Sequence, residues 1–398
     1  MNKTLSIKQR NSVLLKMAEL VEKNRAEIIA INQKDLKSFE DTDLAMYDRL
    51  KVDDAKIEGM IESLNQLVQQ EDPLGKERFS FVHENGLRIE NRTAPFGTIL
   101  IIYESRPDVT IEAAGIAFKS GNKILLKGGK ESFHSNKSIV KLWREALKFN
   151  SVDENWVEYL VFNREETQEF LKNPTQKIDL IIPRGGEKLI QFVKENATCP
   201  VIVSGRGNNF IYLASSADQE KAIEIIVNAK VAKISACNAL DKVLIDRQLP
   251  NFEGFLKRLI AQLMKFNVQI WGDETTSKFD GIEEIEDQSV WYEEFLDYKI
   301  VIGRVEGMQE AIDKINQFGG GHSACILTKS NEMAREFMDE VDAAAVYQNA
   351  STRFTDGFQF GLGGELAIST DKLHQRGPIG LEHLVTNKWY VYGEGQIR

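Results

Sequence analysis

The sequence predicts an α/β protein of two tandem parallel-sheet domains with a small β arm. Three observations carry that expectation. Short apolar runs alternate with amphipathic stretches along most of the chain, the pattern of buried parallel strands covered by helices. The alternation falls into two series, and 398 residues is a soft prior for two or three domains. Between the first helical region and the first series stands Asn85-Gly86, flanked by alternating residues, which marks a hairpin.

Taken in order, Val13, Leu14, Met17, Leu20, Val21, Ile28 and Ile31 recur at three- and four-residue steps and predict an amphipathic helix over 5–36. A second helix over 53–70 is stopped by Asp72-Pro73-Leu74-Gly75. The hairpin covers 78–92. The first series then reads strand 98–103, helix 109–118, strand 123–127, helix 132–148, strand 178–182, helix 187–195, strand 200–204, helix 219–233 and strand 241–246. The second reads helix 252–265, strands 268–271 and 298–303, helix 306–318, strand 324–328, helix 331–341 and strand 344–348. Residues 386–393 read as an edge strand that joins the hairpin, within a subunit or across a dimer.

Composition narrows the function. Apolar residues make up 42% and charged residues 28%, ordinary values for a soluble globular protein, and no apolar run is long enough to span a bilayer. A net charge of −10 argues against a large nucleic-acid surface, so an anionic ligand needs locally clustered Lys and Arg. The N-terminus lacks the apolar core of a secretory signal, and a cytoplasmic home is expected. Cys199, Cys237 and Cys325 lack disulfide or zinc spacing, and His83, His134, His322, His374 and His383 form no metal motif. No metal is expected. No Gly-x-Ser-x-Gly elbow occurs, which leaves a serine triad unsupported.

Two turns invite a nucleotide. Lys127-Gly128-Gly129-Lys130 and Arg184-Gly185-Gly186 each link a strand to a helix, whose first N–H groups can meet an anion. From spacing alone, a solvated turn with surface lysines is an equal reading of the first. Two such turns at the ends of parallel strands favour a dinucleotide crevice, although neither matches Gly-x-Gly-x-x-Gly. Gly205-Arg-Gly207-Asn-Asn209 approaches that fingerprint but runs into a strand. Among the thiols, Cys199 and Cys325 read as structural. Cys237 follows a helix and precedes a strand, which places it in a loop, although a lone loop cysteine is more often inert than catalytic. Arg106, Arg184, Arg353 and Arg376 stand beside turns, where guanidinium forks suit carboxylate and phosphate.

Together these segments resemble the γ-glutamyl phosphate reductases, or glutamate-5-semialdehyde dehydrogenases, a branch of the aldehyde dehydrogenase superfamily. The most specific stretches are Ile102-Tyr-Glu-Ser-Arg-Pro-Asp-Val-Thr110, Leu126-Lys-Gly-Gly-Lys-Glu131, Pro183-Arg-Gly-Gly186, Ala236-Cys-Asn-Ala239 and Val346-Tyr-Gln-Asn-Ala-Ser-Thr-Arg-Phe-Thr-Asp-Gly-Phe358, extended by His374-Gln-Arg-Gly-Pro-Ile-Gly-Leu-Glu382. The resemblance covers almost the whole chain. It implies an aldehyde dehydrogenase-like fold, with a cofactor-binding domain at 1–77 and 96–205, a catalytic domain at 206–379, and an oligomerisation arm from 78–95 and 380–398.

The resemblance further implies NADPH-dependent reduction of L-glutamyl 5-phosphate to glutamate 5-semialdehyde and phosphate, the second step of proline synthesis from glutamate. It assigns Cys237 as nucleophile, with Ser105 helping to hold the oxyanion where aldehyde dehydrogenases carry an Asn. Arg106, Arg353, Thr355, His374 and Arg376 fall to the substrate. Lys127 falls near the adenosine ribose, with Gly128, Gly129 and Lys130 also assigned to the cofactor, Gly185 and Gly186 near the pyrophosphate, and Glu294 on the nicotinamide ribose. A homo-oligomer is expected, with glutamate 5-kinase as a partner that could deliver the substrate. Two other readings stand beside this one: an oxidative aldehyde dehydrogenase and a catalytically silent nucleotide-binding protein. Where oxidative enzymes carry a Glu base, this sequence has Val203 or Ser204, which favours a chemistry that avoids water.

Overall fold

The computed structural model describes residues 4–40 and 44–398. Its contacts divide the chain into two compact units, Met1–Val203 with Gly361–Ala367 and Ile379–Arg398, and Ser204–Phe360 with Ile368–Pro378. Among the described residues no helix is long and apolar enough to cross a membrane.

The first unit is built on four parallel strands in the order Val157–Tyr159, Lys123–Lys127, Thr98–Tyr103, Leu180–Arg184. Thr98–Tyr103 is a central strand, and Ile99 to Tyr103 are buried, so both of its faces need helical cover. From it the chain moves outward on one side through the Lys123–Lys127 strand, then crosses to Leu180–Arg184 on the other. That reversal creates a topological switch point, and the carboxyl ends of these three strands carry Ser105, Lys127 to Lys130 and Gly185.

The long helix expected over 5–36 is two helices, Ile7–Lys23 and Arg25–Lys37. Asn24 parts them, because its backbone N–H and its side-chain Nδ2 both donate to Leu20 O. Ser6 caps the first helix in a reciprocal box with Gln9, and Val13, Leu14, Met17, Leu20 and Val21 bury its apolar stripe. The strand expected over 200–204 shrinks to one bridge between Val201 and Ile181. Pro200 has no N–H for a ladder, and Gly205 follows at once.

The arm contains Glu77–Val82, Arg88–Pro95 and Val385–Tyr392, all antiparallel. The last strand pairs within its own chain, running from Val385 opposite Pro95 to Tyr392 opposite Arg88. Gly86 turns the hairpin at φ 88°, a left-handed conformation that suits a residue without a Cβ.

The second unit holds seven parallel strands in the order Glu283–Glu284, Gln269–Gly272, Lys299–Val305, Leu240–Asp246, Asn209–Leu213, Ser323–Leu327, Ala345–Gln348. Its register slips once: Asn209 faces Leu240 and Phe210 faces Lys242, leaving Asp241 as a bulge. Cys237, Gly207 and His322 all precede strands and therefore lie at the amino ends of this sheet.

Candidate active site

In the second unit the loop between helix Gln219–Val231 and strand Leu240–Asp246 carries Cys237, half-buried. Asn209 Nδ2 gathers three carbonyls of its surroundings, Gly207 O, Cys237 O and Ala239 O, each at 2.7 Å. A β-carbon on Gly207 would lie 2.6 Å from Cys237 Cα and clash with its carbonyl. Gly207, one of the glycines that imitate a dinucleotide fingerprint, therefore serves close packing under the cysteine, while Gly205 packs against Thr370 and Gly320.

Asn238, the next residue, binds the loop to a second segment. Its Nδ2 donates to Arg353 O at 3.2 Å and Thr355 O at 2.9 Å, and Thr352 Oγ1 returns a bond to Asn238 O at 2.8 Å. These bonds fix Arg353 beside the cysteine loop. Its Nε and Nη1 are buried without a hydrogen-bond partner. Burial lowers the guanidinium pKa, while the charges of Cys237 and Asp356 act in the opposite direction. A half-buried cation with unused donors on a segment bonded to the cysteine loop is suited to binding an anion and to favouring a thiolate.

Thr355 is buried, and its Oγ1 lies 2.7 Å from Ser323 Oγ and 2.6 Å from Tyr347 OH. Ser323 Oγ in turn lies 2.8 Å from His322 Nδ1. Burial pushes His322 down to about 4, so this ring is neutral near pH 7, and its Nε2 has no partner. Thr355 thus belongs to a hydroxyl chain that holds the Arg353 segment. The other thiols are unsuited to attack: burial pushes Cys325 up to about 12 and also raises Cys199.

The remaining expected substrate residues of this unit are arranged differently. Arg376 Nη1 meets Asp342 Oδ1 at 2.6 Å and its Nη2 meets Asp342 O at 3.1 Å, so the fork expected to meet substrate is engaged by an ion pair that also takes Lys372. His374 is exposed. Glu294 is half-buried, between Glu293 and the buried Phe295.

In the first unit Ser105 follows the central strand at φ 35°, left-handed backbone in a non-glycine residue. It is buried, and its Oγ has no hydrogen-bond partner. Arg106 Nη2 donates to Asp108 Oδ2 at 3.0 Å. Burial pushes Asp108 up, yet the Arg106 and Lys56 charges together hold it below the ordinary carboxylate value. Burial, aided by the Asp108 charge, pushes Glu112 up to about 7.

The glycine turns differ from expectation. The N–H groups of His134 and Ser135, at the start of helix Phe133–Phe149, are not open to a ligand: buried Asp35 takes them at 3.1 and 2.8 Å. A β-carbon on Gly128 would clash with Asn136, and one on Gly129 would clash with Glu131. Gly185 and Gly186 are exposed, but Gly186 N already donates to Glu104 Oε2 at 2.9 Å. Lys127 is half-buried and donates to Gly128 O at 3.2 Å; burial lowers its pKa against the pull of Glu131 and Glu104. Lys130 is exposed.

Sequence reasoning had not singled out Gly207, Asn209, Asn238 or the His322–Ser323 pair as site residues. Asn238 carried the one available signal, its place beside Cys237. Among the described residues no group of three His, Cys, Asp or Glu could hold a metal.

An α/β fold with a loop thiol and an adjoining half-buried guanidinium defines a class that the comparisons identify. The model of the aldehyde dehydrogenase family matches residues 2–278, and the chain belongs to that family. A gamma-glutamyl phosphate reductase of Clostridium botulinum (strain Alaska E43 / Type E3) is 43% identical over 401 residues, covering 100% of this chain and 96% of the relative. One from Nautilia profundicola is 42% identical over 398 residues, covering 99% and 96%. The crystal structure of the gamma-glutamyl phosphate reductase from Thermotoga maritima superposes with a TM-score of 0.92 at 41% identity, covering 99% of this chain and 95% of that one. Within the aldehyde dehydrogenase family the chain is thus a member of the gamma-glutamyl phosphate reductases, oxidoreductases of nicotinamide-dependent type.

Proposed function

We propose that this chain reduces L-glutamyl 5-phosphate to L-glutamate 5-semialdehyde and phosphate, with NADPH as reductant and Cys237 as nucleophile. The observation that carries the mechanism is the placement of Arg353, whose buried Nε and Nη1 have no protein partner, on a segment that Asn238 binds to the Cys237 loop. The thiolate Sγ attacks the acyl carbon; the new C–S bond replaces the C–O bond to phosphate, and phosphate leaves. The Cys237 backbone N–H and Ser105 Oγ are the donors assigned to the oxyanion, and such a donor can contribute about 3 kcal/mol to a transition state. NADPH, when bound, supplies the hydride that reduces the thioester carbonyl. The thiohemiacetal then expels the Cys237 thiolate and releases the aldehyde. Arg353 stabilises the thiolate at both ends of the cycle and offers its free donors to the departing phosphate or to a substrate carboxylate.

The cofactor assignment rests on Lys127 and Lys130, cations at the carboxyl ends of switch-point strands, which suit a phosphorylated ribose. Gly185 and Gly186 suit a pyrophosphate once the Glu104 carboxylate turns aside. Neither Val203 nor Ser204 can act as a carboxylate base, which supports phosphate rather than water as the acyl acceptor. A cytoplasmic setting and delivery of the labile substrate by glutamate 5-kinase complete the reading. The arm's exposed Phe79, Trp389 and Val391 support its use in a homo-oligomer. The test is oxidation of glutamate semialdehyde with NADP and NAD compared, with and without phosphate. Phosphate-dependent turnover with NADP is expected; release of free glutamate at a comparable rate without phosphate would overturn the assignment.

A further inference from the structure

The second unit buries two lysines beside one aspartate. Lys230, on helix Gln219–Val231, and Lys242, on strand Leu240–Asp246, are both fully buried. Lys230 Nζ donates to Asp241 Oδ1 and to Leu240 O, each at 2.9 Å. Lys242 Nζ donates to Glu293 O at 2.8 Å and lies 3.8 Å from the centroid of the Phe295 ring. Asp241 Oδ2 accepts the Phe295 N–H at 3.1 Å. Glu293 and Phe295 are therefore each tied to this cluster, with Glu294 between them.

Successive residues of a regular strand point to opposite faces, so neighbours such as Asp241 and Lys242 would not ordinarily reach one segment. The bulge at Asp241 relaxes that alternation. Burying ammonium groups is costly, and apolar side chains of similar volume commonly fill such space with no loss of stability. Packing alone does not account for the cluster. What its polar bonds do achieve is to fix the backbone on both sides of one half-buried carboxylate. The charges acting on Lys242 are Asp241, Lys230, Glu293 and Glu294, and Asp297 also acts on Lys230.

We propose that Lys230, Asp241 and Lys242 form a positioning device for Glu294, clamping the chain at Glu293 and Phe295 and placing a positive charge that acts on the Glu294 carboxylate, so that Lys242 sets the affinity for the nicotinamide ribose. The inference rests on the assignment of Glu294 to that ribose. Burial pushes Lys242 down to about 7, so its charge is present below that pH and lost above it. Cofactor affinity then weakens as pH rises, although the 2′-phosphate of NADPH, with a second pKa of about 6, is completing its ionisation at the lower end of that range. Stability moves the other way: between about 7 and the ordinary lysine value the unfolded chain binds the extra proton, so this group makes folding more favourable as pH rises.

The experiment measures KM for NADPH and kcat from pH 6.5 to 8.5 in the wild type, Lys242→Met and Glu294→Gln. At pH 6.5, Lys242→Met is expected to raise KM about tenfold with kcat within about twofold, as loss of a charge-assisted bond would. The wild-type KM is expected to climb toward that value by pH 8.5, and the Lys242→Met profile to stay flat. A raised KM in Glu294→Gln with wild-type behaviour in Lys242→Met would overturn the positioning role alone. An unchanged KM in Glu294→Gln would instead remove Glu294 from the cofactor site. Should Lys242→Met fail to fold, the wild-type series decides, and a KM independent of pH contradicts the proposal.

Discussion

The glycine turns of the first unit and the cysteine loop of the second, each only suggestive in sequence, end in different states. At the Gly128-Gly129 turn the following helix is capped by Asp35, and at Gly186 the backbone N–H is taken by Glu104. Around Cys237 the backbone is equally well tied, by Asn209 and Asn238, yet Arg353 Nε and Nη1 and His322 Nε2 are buried without a partner. Unpaired buried polar atoms are costly, and those beside Cys237 are placed where a ligand can satisfy them. The difference teaches that a glycine turn is a weak sign of a binding site until its N–H groups are accounted for.

The sharpest test of that contrast removes the sulfur. Cys237→Ala is expected to lower turnover by roughly 10⁴-fold or more, while NADPH affinity measured by fluorescence stays within about twofold. Turnover near the wild-type level would assign the chemistry elsewhere. Next in size is Arg353→Gln, which removes the charge and keeps much of the shape. Its kcat/KM should fall about 10²- to 10³-fold, with slower iodoacetamide labelling of Cys237 at neutral pH. Labelling at an unchanged rate would confine Arg353 to substrate binding.

Gly207→Ala probes the packing under the loop. The added carbon meets Cys237 backbone, so a loss of about 1–3 kcal/mol in denaturant unfolding is expected together with impaired turnover. An alanine variant of full stability would mean that the loop shifts freely. The smallest effect belongs to the first unit: Glu104→Gln removes an anion from a helix N-terminus and should tighten NADPH about two- to fivefold in a binding titration. Weaker binding would show that Glu104 contributes to the cofactor site rather than competing for it.

Much of the architecture was legible because parallel strands buried on both faces write near-continuous apolar runs, as Thr98–Tyr103 does. The parts that were not legible have local causes. One polar side chain, Asn24, divides a helical pattern that periodicity alone joins, and Pro200 strips a strand of its donor. The Asp241 bulge leaves no mark in the sequence, because register depends on the partner strand. Cys237 and Arg353 stood out in the sequence as candidates, but the bonding of their two segments did not, since it depends on Asn238 and Thr352 closing a long separation in sequence. Arg376 shows the converse, a plausible anion fork that the fold pairs with Asp342.

The central claim is that Cys237 becomes acylated before hydride arrives, and mass spectrometry of the digested protein tests it directly. Freshly generated glutamyl phosphate is mixed with enzyme in the absence of NADPH and quenched in acid. The account predicts the glutamyl adduct on the peptide spanning 234–242, lost again when NADPH is added before the quench. An adduct on the peptides carrying Cys199 or Cys325, or full turnover with no adduct on Cys237 at any time, would contradict it.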